Sequence, residues 1–139
     1  MAGASNAYEN KVIDHITGKT SVTAGAHAAY IGMVTVAISD TDTLSTITEP
    51  TYTGYARKAL AVAGADWNAA ASGTATNANA IAFAACTAGS STVVGWFLTD
   101  AASGTSGTIS LYGTCASTTI STTATPATFA AGSLSLSAD

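Results

Sequence analysis

The first apolar residues of the chain recur at helical spacing. Within residues 5–17, Tyr8, Val12, Ile13 and Ile16 share one helical face, with polar residues between them. Ser5 or Asn6 supplies the N-cap, Glu9 stands at capping-box distance from Asn6, and Gly18 is a natural stop. Beyond Gly18 the period changes. Segment 29–38 reads as a strand, 39–53 as a long loop rich in Ser, Thr and Asp, and 54–63 as a second strand. Further strands are predicted at 80–86, 92–99, 107–115, 118–123 and 132–137. In the last, Leu134 and Leu136 alternate with Ser133, Ser135 and Ser137, the period of a half-buried strand. Asp100–Gly104, the Thr105–Gly107 stretch and Pro126 mark turns between them. Seven or eight short strands after one short helix predict an all-β fold, a jelly roll or β-sandwich. The length suits one domain over 1–139, with an N-terminal arm and helix over 1–18 and the sandwich over 28–139.

Composition narrows the function classes. The chain has 31 alanines, 24 threonines, 15 serines and 13 glycines, about three-fifths of its 139 residues. Large aliphatics are scarce, so an isolated copy builds a thin core and an assembly is expected. The net charge is −4, and the four cations Lys11, Lys19, Arg57 and Lys58 are too few to neutralise a phosphate backbone; no nucleic-acid partner is expected. No apolar run is long enough to span a bilayer, and the N-terminus lacks the basic and apolar regions of a secretory signal, so no membrane partner is expected either. Cys86 and Cys115 lie in small, apolar surroundings without metal-ligand spacing and read as buried thiols, with a disulfide as the alternative.

The chemistry-bearing residues form no catalytic or metal-binding constellation. His15, beside Asp14, reads as a surface residue near a helix C-terminus, and His27 as a solvent-facing or interface residue. No Gly-x-Ser-x-Gly elbow surrounds any serine. Asp40, Asp42 and Glu49 share a loop but lack the density of a calcium-binding loop, so a solvated loop is the reading preferred to a cation site. Trp67, Trp96, Phe97, Tyr52, Tyr55 and Tyr112 would make a carbohydrate platform if they were exposed together, but Trp96-Phe97 lies in an apolar strand and reads as core. Arg57 is the sole arginine, and its planar fork suits a structural or subunit-interface salt bridge.

Several short motifs, in order and along nearly the whole chain, resemble a family of small tailed-bacteriophage virion proteins labelled tail-fibre-like or capsid decoration proteins. The resemblance rests on the opening helix, Ala28-Ala29-Tyr30-Ile31, Gly54-Tyr55-Ala56-Arg57, Gly73 to Asn77, Ile81 to Ala85, Asp100 to Gly104, Leu111-Tyr112-Gly113 and the closing Phe129 to Leu136. This chain departs from the pattern at Ala84, where the family has proline, and at Trp96, where many members have histidine. Its first strand is also less aromatic, at Ile31-Gly32-Met33-Val34.

The resemblance implies a non-enzymatic virion component without cofactor or metal. The expected role is capsid decoration, or cement: an oligomer, a trimer in the favoured form, bound to the major capsid protein on the capsid exterior. The alternatives are a tail or tail-fibre component contacting the host surface, and a carbohydrate-binding module or small glycan-active enzyme. Tyr8, Val12, Ile16, Arg57 and Trp67 are the expected interface residues.

Overall fold

The computed structural model of the chain describes residues 2–19, 28–61 and 65–137. It is an all-β sandwich with one short N-terminal helix. Among the described residues nine strands and the helix stand in chain order: β1 (Ala2–Ala4), α1 (Asn6–Ile16), β2 (Tyr30–Val34), β3 (Lys58–Ala59), β4 (Thr74–Thr76), β5 (Ile81–Ala82), β6 (Ser90–Thr99), β7 (Ile109–Ser121), β8 (Thr128–Phe129) and β9 (Ser135–Ser137). The main sheet is antiparallel, in the order β1-β7-β6-β2-β3, and two ribbons, β4-β9 and β5-β8, lie outside it.

The long central hairpin β6–β7 carries the sheet. Its inner half is buried on both faces, which explains the unbroken apolar run Gly95-Trp96-Phe97-Leu98. On one face Ile31, Met33, Val93, Trp96, Leu98 and Ile120 pack with Ile81, Phe83 and Leu134, which come from the ribbons and their flanks. On the other face Val34, Phe97 and Ile109 pack with Leu44, and with Ile38 and Ile47 around it, so the 38–49 loop forms the second cover. Buried Asn77 ties the ribbon layer together. Its side-chain amide donates to the carbonyls of Asn79 and Ala130, and its side-chain oxygen accepts from the Leu134 N–H at 2.9 Å.

A thin supply of aliphatics is offset by pairing glycine with aromatics across the sheet. Gly32 is registered opposite Phe97, Gly113 opposite Trp96, and Gly3 opposite Tyr112. In each pair the ring lies over the bare backbone. A Cβ on Gly113 would stand 2.7 Å from the Trp96 ring, one on Gly3 3.1 Å from the Tyr112 ring, and one on Gly32 would collide with the Phe97 ring. The missing side chain makes the room that a large ring fills.

Several strand boundaries differ from those read along the chain. Segment 54–63 supplies only the two-residue edge strand β3, because Tyr55 and Arg57 are drawn into side-chain hydrogen bonds instead of a ladder; its last two residues lie outside those described. The expected strands 107–115 and 118–123 are one strand, β7, since β6 is long enough to pair along both. Segments 80–86 and 132–137 shorten to β5 and β9. Strands β1, β4 and β8 are too short and too rich in Ala and Thr to show a period in the sequence. His27 lies outside the described residues.

Helix α1 has the limits its sequence predicts. Ser5 is the N-cap, and its Oγ accepts from the Tyr8 N–H at 3.3 Å and donates to the Ile109 carbonyl of β7. Gly18 closes the helix at φ 76°. Replacing Gly32 with alanine is expected to cost about 1–3 kcal/mol by forcing Phe97 off its seat. Urea unfolding followed by tryptophan fluorescence measures this, and an unchanged midpoint would show that the ring has room to move.

Candidate functional site

The residues singled out along the sequence fall in three places. Arg57 lies inside, Trp67 sits half-buried at the ribbon layer, and Tyr8, Val12 and Ile16 lie on α1.

Arg57 is 8% exposed and fully engaged within its own chain. Its Nε donates to the Glu49 carboxylate at 3.2 Å and its Nη2 to Glu49 Oε1 at 2.5 Å. Nη1 donates to the Ala101 carbonyl at 3.0 Å and Nη2 also to the Gly104 carbonyl at 2.8 Å. The guanidinium carbon stands 5.3 Å from the centre of the Phe97 ring. Tyr55 completes the cluster: its hydroxyl donates to Glu49 Oε2 at 2.7 Å and accepts from the Met33 N–H at 2.9 Å. Burial first, and then the bond to the Glu49 carboxylate, push the Tyr55 phenol far above its ordinary range. Every group in the cluster is directed at the protein, so it acts as a structural clamp joining the 49–57 segment to the β6–β7 connection.

The acidic loop is likewise engaged with itself. The Asp42 carboxylate accepts from the Ser39 N–H at 2.8 Å, from the Ser39 hydroxyl at 2.9 Å and from the Thr46 hydroxyl at 2.8 Å. These bonds, the backbone one foremost, hold its carboxyl below the usual carboxylate range. Among the described residues no three His, Cys, Asp or Glu side chains gather as a metal site would need. Cys86 and Cys115 are both free thiols. Cys86 is buried and its Sγ is directed at the Ala88 and Gly89 carbonyls, while burial pushes the Cys115 thiol up. The aromatic platform does not assemble, because Tyr52, Trp96 and Phe97 are core residues. The Tyr52 hydroxyl is enclosed without a hydrogen-bond partner, beside Tyr55.

The remaining feature is a groove. One wall is α1, with Tyr8, Glu9, Val12 and Ile13; the floor is β1 and β7, with Leu111 and Tyr112; the far wall is the β4-β9 ribbon, with Leu136. It encloses about 860 Å³. The Tyr112 phenol at its floor is pushed up by burial and then by the carboxylates of Asp40, Glu9 and Asp42, so the rim is acidic. Helix α1 buries no residue at all: Ile13 is 56% and Ile16 76% exposed. It is fixed by Ser5, by the Asn6 N–H on the Asp40 carbonyl and by Lys11 on Thr108. Sequence periodicity marked this helical face. The groove walls Leu111, Tyr112 and Leu136 escaped it, because nothing along the chain signals that β7 and β9 approach α1.

The family described as Podophage GP4 fiber I protein gp80 matches residues 3–137. The chain belongs to that family. It is therefore a bacteriophage virion structural protein, and its location is the virion. No curated protein matches the chain. No described helix is long and apolar enough to cross a membrane.

Two measurements check the clamp. Arg57→Ala strips the Glu49 carboxylate of its cation and leaves two carbonyls bare, and is expected to cost about 3 kcal/mol or more. Arg57→Lys is expected to recover little, because a single ammonium cannot reach all three acceptors; full stability in that variant would reduce the clamp to a point charge. Alkaline titration is the second. The folded state holds the Tyr55 proton more tightly than the unfolded chain, so this stabilisation is complete below pH about 10 and is lost above it, as unfolded phenols ionise. Unfolding free energy is expected to fall above that pH, and to fall less steeply in Tyr55→Phe.

Proposed function

We propose that the chain is a repeating subunit of a podophage fibre that works by protein–protein contact, as a homo-oligomer, and performs no chemistry. The observation that carries this is α1: an amphipathic helix held at its N-terminal end, its Ile13 and Ile16 left exposed, beside an apolar groove. The internal engagement of Arg57, Glu49 and Asp42 supports it, since these side chains are directed at the protein and not at a substrate.

Capsid decoration, with the chain sitting as a trimer on the major capsid protein at the capsid exterior, is the second reading. It is favoured by the outer half of the β6–β7 hairpin, where Thr92, Thr118 and Thr119 are exposed and Thr92 is bonded to Thr119 at 2.9 Å. Such a polar, charge-free sheet end suits close contact with a shell.

Copy number separates the two. Quantified by mass spectrometry against the major capsid protein in purified virions, a fibre subunit is expected at a few tens of copies per particle. Hundreds of copies in fixed ratio to the capsid protein would favour decoration, and absence from the particle would reject both.

A further inference from the structure

We propose that the uncovered face of α1 is the contact between two copies of this chain, packed antiparallel about a two-fold axis so that Ile16 of each copy enters the groove of the other. This rests on the self-associating fibre reading and names the surface that reading requires.

The helix needs a cover. An isolated helix of 11 residues is marginal in water, and most helical stability comes from packing of an apolar face. Here Val12, Ile13 and Ile16 form that face, yet the chain leaves Ile13 and Ile16 mostly in solvent.

Charge identifies the cover as a second copy. Glu9 stands on the groove near the N-terminal end of α1, and Lys19 lies just past its C-terminal end. In the antiparallel register that sets Val12 opposite Ile16 of the second copy, Glu9 falls opposite Lys19 of that copy, and the reverse holds by symmetry. A parallel pairing would set Glu9 against Glu9 and Lys19 against Lys19. Only the antiparallel arrangement satisfies both the apolar and the charged positions, and a surface that complements itself in this way is what a two-fold contact requires. The groove of about 860 Å³ has room for an entering isoleucine.

Sedimentation velocity on the purified full chain, from about 1 to 100 µM, tests this independently of any copy number in the virion. The expected result is a species of twice 13.6 kDa. Ile16→Glu is expected to weaken it more than about 100-fold by placing a charge in the apolar contact, with the circular dichroism spectrum of the sheet unchanged, since Ile16 is 76% exposed in its own chain. Glu9→Lys and Lys19→Glu are each expected to weaken association about tenfold, by turning two rim attractions into repulsions. The double variant Glu9→Lys/Lys19→Glu should recover it. Glu9 and Lys19 are about three turns apart in one copy, so recovery cannot come from an intrachain pair. A wild-type monomer throughout the range, a three-fold mass, an Ile16→Glu variant that associates normally, or a double variant no tighter than the singles would each overturn the proposal. A monomer whose α1 amides resist hydrogen exchange would overturn it as well, by showing that the chain covers its own helix.

Discussion

A buried guanidinium cannot be left partly satisfied, and this constraint organises much of the sandwich. Arg57 needs a carboxylate and several carbonyls brought to one point, and Glu49, Ala101 and Gly104 come from two separate connections. Once they meet there, the loop after β2 is pinned over one face of the sheet, and the β6–β7 connection is closed at its base. The same guanidinium rests on Phe97, which in turn lies on Gly32 of β2. A register slip of one residue between β2 and β6 would remove Gly32 from beneath Phe97 and turn the ring to the other face. One ion pair thus couples loop position, ring placement and strand register.

The glycine–aromatic pairs answer the question raised by the composition. A chain of alanine, threonine, serine and glycine has little volume with which to fill two layers. Setting Phe97, Trp96 and Tyr112 each opposite a glycine lets the ring lie over the bare backbone of the neighbouring strand. Trp96 does this on the ribbon side and Phe97 on the loop side. The ribbons need few aliphatics of their own, and Asn77 replaces apolar packing with a saturated set of hydrogen bonds where they meet. Edge protection is equally economical: β3 ends the sheet after two exposed residues, one of them Lys58, a charge that discourages further pairing.

Function follows from what this construction leaves over. Arg57 and its partner Glu49 are turned inward, and both thiols are free, Cys86 buried and Cys115 half-buried. What the subunit offers outward is an anchored helix with an apolar side and a groove next to it. In a phage virion structural protein, a clamped body with an exposed helix beside a groove fits the proposed role in protein–protein contact.

The sequence by itself determined the elements whose signal is local. The span of α1, its Ser5 cap and its Gly18 stop depend on neighbours within a turn, and the apolar run of β6 and the Asp100–Gly104 turn are equally local. So were the order of short motifs that marked a phage virion protein and the expectation that Arg57 makes a salt bridge. Tertiary structure decided what depends on distant partners. It chose Glu49 for Arg57, merged two expected strands into β7 because β6 runs alongside both, and drew Tyr55 and Arg57 of the expected strand 54–63 into side-chain bonding. It also brought β7 and β9 beside α1. The groove walls are separated by about a hundred residues of chain, and each was an ordinary strand residue until the sheet folded. Periodicity reports which face of an element is apolar; which other element meets that face, or leaves it bare, is set by topology and packing.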